Sequence, residues 1–112
     1  MKTKVHLGAR TYAFPSQILH LEAYQNYTHI RFSDGSRLLS STHLGALEKR
    51  LSDFNFFRVN RAILVNLDYL SGFDSDSKVC QVSTGQLDKI SVSRRRKLAL
   101  LETLKTKLPL KS

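Results

Sequence analysis

The sequence predicts an α+β fold, predominantly β: short antiparallel strands in stacked small sheets, with one mid-chain helix and one C-terminal helix. Three observations carry this. Apolar and polar residues alternate in many short segments, each bounded by Gly, Pro, Asn, Asp or Ser. Only two stretches, near 42–52 and 94–108, place leucines at helical spacing. The 112 residues, 41% apolar and 9% aromatic, suffice for one core. Residues 1–112 therefore read as a single domain, with its core at about 5–106.

Taken in order, Lys4–Leu7 and Thr11–Phe14 read as two strands around a Gly8-Ala9-Arg10 turn. Pro15-Ser16 punctuates, because the residue before a proline is biased to extended backbone. Ile18–Tyr24 alternates, with Leu19, Leu21 and Ala23 on one side and His20, Glu22 and Tyr24 on the other. Gln25-Asn26 interrupts. Tyr27–Phe32 then resumes, with Ile30 and Phe32 inward and His29 and Arg31 outward. Asp34-Gly35 predicts a type I′ hairpin turn into a strand over Arg37–Ser40. Thr42 or Ser41 is the expected cap of the first helix, whose Leu44, Leu47 and Leu51 form one stripe. Lys49 and Arg50 suit the negative end of its dipole.

Residues 54–66, FNFFRVNRAILVN, are the most informative stretch. Alternation puts Phe57, Val59, Ile63 and Val65 on one face, but continued unbroken it would bury Arg61. An unpaired buried guanidinium costs several kcal/mol, so a bulge or turn is expected near Asn60-Arg61. Arg58, on the opposite face, reads either as a contact for an outside partner or as structural, paired with an acid such as Glu22. Asn66 reads as a partner for backbone groups at a turn. Beyond it, Tyr69–Phe73, Lys78–Val82 and Gln86–Val92 read as strands separated by turns at 74–77 and 83–85. Ser93 is the expected cap of the last helix, which carries Leu98, Leu101, Leu104 and Leu108 before Pro109 stops it.

Charge narrows the function. Eighteen basic against nine acidic side chains give +9, and the excess is concentrated. Residues 89–112 hold eight Lys/Arg and one acid, a net +7; the other 88 residues hold ten and eight, a net +2. That is the footprint of a domain with a polyanionic partner. Arg94-Arg95-Arg96-Lys97 occupy the first turn of the last helix, where each cation opposes the dipole at a cost of about 0.3–1 kcal/mol. A phosphate at that end would meet both the free N–H groups and the arginines.

Other classes are poorly supported. No apolar run approaches the roughly 18 residues that cross a bilayer, and the N-terminus has no signal-peptide core. The single cysteine, Cys80, permits no internal disulfide, fits a reducing cytoplasm and reads as a small strand hydrophobe. The four histidines show no metal-ligand spacing, and there is no Gly-rich phosphate loop or nucleophile motif. No enzymatic activity and no cofactor are implied.

Three segments, ILHLEAYQNY at 18–27, the Phe56-Arg58-Asn60-Arg61-Val65-Asn66 pattern and ISVSRRR at 90–96, together resemble the LytTR family of bacterial DNA-binding transcription regulators. The resemblance spans roughly residues 5–106. It implies that loops and strand ends, not a recognition helix, meet double-stranded DNA, and that Gln25-Asn26, Asn60-Arg61 and Arg94-Arg95 share one edge. Carried over by position, Arg61 and Arg94 are the expected base readers, since arginine bonds guanine bidentately in the major groove. Gln25, Asn26 and Thr28 form a third, variable reading loop. Asn60, Ser93, Arg95 and Lys97 are the expected phosphate or orienting contacts. Tyr24 and Tyr27 read as packing in the core or on a sheet face, with stacking on bases as the other reading.

By the same resemblance, the partner is duplex DNA at direct repeats, bound by a pair of domains, with a receiver domain or kinase acting upstream. Two other readings fit the charge: an RNA or single-strand module, and a protein-interaction domain using its basic edge.

Overall fold

The computed structural model describes residues 3–74, 76, 79–82 and 89–107. The expected turn at 83–85, Leu108 and Pro109 lie outside those residues. Alternation produces an antiparallel five-stranded sheet from β3 (Ile18–Tyr24), β4 (Tyr27–Phe32), β5 (Arg37–Ser40), β6 (Phe56–Asn60) and β7 (Ile63–Asn66). Its order is β5-β4-β3-β7-β6. A separate ribbon pairs β1 (Val5–Gly8) with β2 (Thr11–Ala13). A three-stranded sheet orders β8 (Leu70–Asp74), β9 (Val79–Val82) and β10 (Lys89–Ser91) as β10-β9-β8. The helices are α1 (Leu44–Arg50) and α2 (Arg94–Lys107). This is the expected fold class.

The large sheet separates two cores. On one face Ile18, Leu21, Ile30 and Leu64 meet the α1 stripe Leu44, Leu47 and Leu51, with Val5, Leu7 and Ala13 of the ribbon. On the other, Val59 and Val65 meet Leu100 of α2 and Ile90 and Val92. Consecutive residues of β7, Leu64 and Val65, therefore serve different cores. β6 and β7 lie between two apolar layers, whereas β3 and β4 turn polar side chains such as Glu22 and His29 outward.

Four local expectations are corrected. The hairpin after β4 is not type I′, because among residues 33–36 only Gly35 has positive φ (93°). Its amide donates to Phe32 C=O, and the Phe32 amide donates to Ser36 C=O, as in a type I turn closed by a left-handed glycine. The Asp34 carboxylate selects this form by accepting the Ser36 hydroxyl (2.6 Å) and amide (2.8 Å), bonds that hold its carboxyl below the ordinary value.

Helix α1 begins at Leu44 with His43 in the cap position and no side-chain cap bond. Thr42 is drawn away to the sheet: its amide donates to Ser40 Oγ (3.0 Å) and its carbonyl accepts the Thr28 hydroxyl (2.7 Å). The strand expected at Tyr69–Phe73 starts at Leu70, after a 3₁₀ turn over Leu67–Tyr69.

In α2 the buried leucine is Leu100, while Leu98 is 70% exposed. At about 100° per residue, Leu100 lies roughly 40° from Leu104 and Leu98 roughly 120° from it. Only the former can share the stripe facing β6. Leu98→Lys is accordingly expected to change stability by less than about 0.5 kcal/mol in a denaturant titration. A drop of several times that would mean that Leu98 is covered.

His20, on β3, has its pKa lowered by burial and then by the Arg31 charge. The unfolded chain titrates near 6.5, so this contribution to stability is complete above that pH and is lost as pH falls toward the lowered folded value. Thermal unfolding at about pH 7.5 and about pH 5.5 should show a lower Tm at the acid value, and His20→Gln should shrink the difference. An undiminished difference would assign the acid sensitivity to other groups.

Candidate nucleic-acid interface

Register brings the expected clusters together. Tyr24 pairs with Tyr27, Glu22 with Ile63 and Asn60 with Ile63, so the β3–β4 and β6–β7 turns leave the same end of the sheet. The Ala23 amide bonds Ala62 C=O (2.7 Å), joining the turns directly. The Ser93 amide bonds Val59 C=O (2.9 Å), which sets the start of α2 beside β6 at this same end.

In the β3–β4 turn Gln25 and Asn26 are both exposed. Gln25 sits at φ 57°, a left-handed conformation that costs a residue with a Cβ about 1–2 kcal/mol. Tyr24 and Tyr27 flank it at 59% and 46% exposure. Tyr24 lies edge-on to His29, 5.7 Å between ring centroids. Packing on a sheet face therefore describes Tyr24, and neither ring enters the core. Thr28 is a correction: it is 1% exposed and its hydroxyl is bound to Thr42 C=O, which leaves it no surface for a duplex.

The β6–β7 turn is built to hold Arg61 outward. The ladder slips between Arg58 and Asn60, the break expected from the cost of burying Arg61. Asn60 Oδ1 accepts the Ala62 amide (2.8 Å), an Asx turn, and its Nδ2 donates to Ser91 C=O (2.7 Å). Asn60 thus locks the turn to the segment leading into α2. Arg58 works from behind. Its Nε and Nη2 donate to the carbonyls of Asn60 and Arg61, and its Nη1 meets Glu48 Oε1 at 2.6 Å.

The acid is Glu48 of α1, not Glu22 of β3. A signal for it existed, because one residue past Leu47 on the helical wheel borders the buried stripe. With side-chain exposures of 20% and 39%, the pair is partly shielded from solvent and orders the turn more than it stabilises the fold.

At the start of α2, Ser93 C=O accepts the Arg96 amide (3.0 Å) and opens the helix. Arg94, Arg95 and Arg96 are exposed, and Lys97 is half-buried. The end of the sheet thus presents Gln25, Asn26 and Arg61 on tied turns, beside Arg94 and Arg95 at the start of α2. Strands lie about 4.8 Å apart, so the two turns are separated by about 10 Å.

Among the described residues no three His, Cys, Asp or Glu side chains are grouped to hold a metal ion. No described helix is long and apolar enough to cross a membrane.

Comparison with known proteins gives the family and the fold. The family model described as "LytTr DNA-binding domain" matches residues 9–105. A solved structure, the LytTr DNA-binding domain of a putative methyl-accepting/DNA response regulator from Bacillus cereus, superposes with TM-score 0.71 at 17% identity. The match covers 92% of this chain and 95% of that one. No curated protein matches. The chain belongs to the LytTR family of DNA-binding domains, which serve transcription regulation and are not an enzyme family.

Proposed function

We propose that this LytTR domain recognises a specific duplex by inserting its two turns into the major groove and seating the start of α2 on the flanking phosphates. Arg61 and Arg94 read base edges. Gln25 and Asn26 supply the second reading turn, and Asn60 holds Arg61 in place. Ser93, Arg95 and Lys97 serve phosphates, Lys97 through an ammonium reaching out from a half-buried stem.

The observation that carries this reading is the bonding of Asn60 to both Ala62 and Ser91, which ties the Arg61 turn to the approach to α2. Groups held in one frame can meet a repeating lattice of bases and phosphates without losing much entropy on binding. The function belongs to the output end of a two-component response regulator, with a receiver domain or kinase supplying the signal. Pairing of two domains on direct repeats completes the proposal.

Selection from a randomised duplex library at about 0.15 M salt tests it, because non-specific binding is already weakened there. Enrichment of a motif, repeated at a fixed spacing, is the expected result. Binding without enrichment, or a preference for unpaired RNA, would overturn it. Neutralising Arg95 should weaken every duplex alike and reduce the salt slope by about 0.9.

A further inference from the structure

The β1–β2 turn, Gly8-Ala9-Arg10, is a further feature at this end of the molecule that the three clusters do not use. Its position is fixed from two sides. Ser40 Oγ donates to Leu7 C=O (2.6 Å), and a Cβ on Gly8 would collide with the hydroxyls of Ser40 and Thr42. Ser40 pairs with Thr28, one residue from the Tyr24–Tyr27 pair that closes the reading turn. One residue before Leu7, Arg50 of the last α1 turn donates to His6 C=O (3.0 Å). With Gly8 seated against Ser40 and Thr42, the turn emerges at the same end of the sheet as Gln25 and Arg61.

The turn is also conformationally costly. Gly8, Ala9 and Arg10 all have positive φ (93°, 50° and 56°), and Gln25 is the other described residue with a Cβ in that region. Such backbone persists where the surroundings over-determine it, and it concentrates at binding sites. Here the wedge of Gly8 under Ser40 and Thr42 supplies the constraint, and Arg10 is left exposed at the apex.

We propose that Arg10 binds a DNA phosphate on the flank opposite α2, a fourth contact that brackets the reading turns between two cationic ends; this rests on the duplex reading above. The five strands span about 19 Å, with the Arg10 turn against β5 at one edge and α2 against β6 at the other. That exceeds the major-groove width of about 12 Å, so cations at the two extremes face the backbones beyond the groove occupied in the middle.

Arg10→Asn removes the charge with a residue that tolerates left-handed backbone, and Arg10→Lys keeps the charge. For Arg10→Asn we expect binding to fall about fivefold at about 0.15 M salt on cognate and unrelated duplexes alike, with the salt slope smaller by about 0.9. Base preference should stay intact, and Arg10→Lys should retain the slope. Phosphate ethylation interference should lose its outermost position on the side away from α2. An unchanged slope and footprint in Arg10→Asn, with Arg61→Ala still altering base preference, would overturn this contact alone. No specific duplex binding by the unaltered chain would overturn the duplex reading and this contact with it.

Discussion

Arg61→Ala is expected to cost about 1–3 kcal/mol on the selected site, roughly 5- to 150-fold in affinity, and to relax preference at one base position. The guanidinium stands at the tip of a turn whose backbone is held by other residues: Arg58 binds its carbonyl, and Asn60 binds the Ala62 amide. Truncation therefore removes donors without moving the scaffold, and thermal stability should stay within about 0.5 kcal/mol. Binding to the selected duplex and to each single base-pair variant is the measurement. A base-reading Arg61 makes the variants at one position converge on a common affinity in the mutant. An equal loss on all sequences would turn Arg61 into a phosphate contact. Arg61→Lys sharpens the distinction, because a point charge retains phosphate binding but not the planar fork that suits guanine.

The legible parts of this fold are those in which one local rule acts without competition. The bounds of β3, β4 and β5 coincide with the alternating segments, since each strand buries one face. The break at Asn60 was deducible from the cost of burying Arg61. Thr28 is legible by the same rule. It shares parity with Ile30 and Phe32, so strand alternation alone turns it inward, and the turn proper holds only Gln25-Asn26.

Other features depend on contacts between distant segments. Nothing local says that Thr42 will be claimed by Thr28 and Ser40 and so lose its place as a helix cap. Glu48 could be placed beside a buried stripe, but its meeting with Arg58 needs the packing of α1 against the sheet. The Gly8-Ala9-Arg10 turn is recognisable as a turn, and its place at this end of the sheet follows from Ser40 and Thr42.

The largest stability loss is expected at a residue of the same motif that touches no DNA. Asn66 is 2% exposed. Its Nδ2 donates to Ile18 C=O (2.9 Å) and Pro15 C=O (3.2 Å), and its Oδ1 accepts the Asp68 amide (2.9 Å). One amide thereby joins the end of β7 to the start of β3 and opens the 3₁₀ turn that leads to β8. Asn66→Ala leaves these backbone groups without that partner in a site too enclosed for easy hydration. A buried group stripped of its partner costs about 1–3 kcal/mol, so a total of about 2–4 kcal/mol is expected in urea unfolding.

Asn66→Asp separates hydrogen bonding from volume. It is nearly isosteric and keeps the acceptor for Asp68, but it faces two carbonyls with no donor while ionised. Its loss should match or exceed that of alanine at neutral pH and shrink as the new carboxyl becomes protonated. If aspartate were tolerated while alanine was not, side-chain volume would be what this position contributes. Folded Asn66→Ala protein should retain its base preference on the selected duplex, because the residue sits at the end of β7 away from the Arg61 turn.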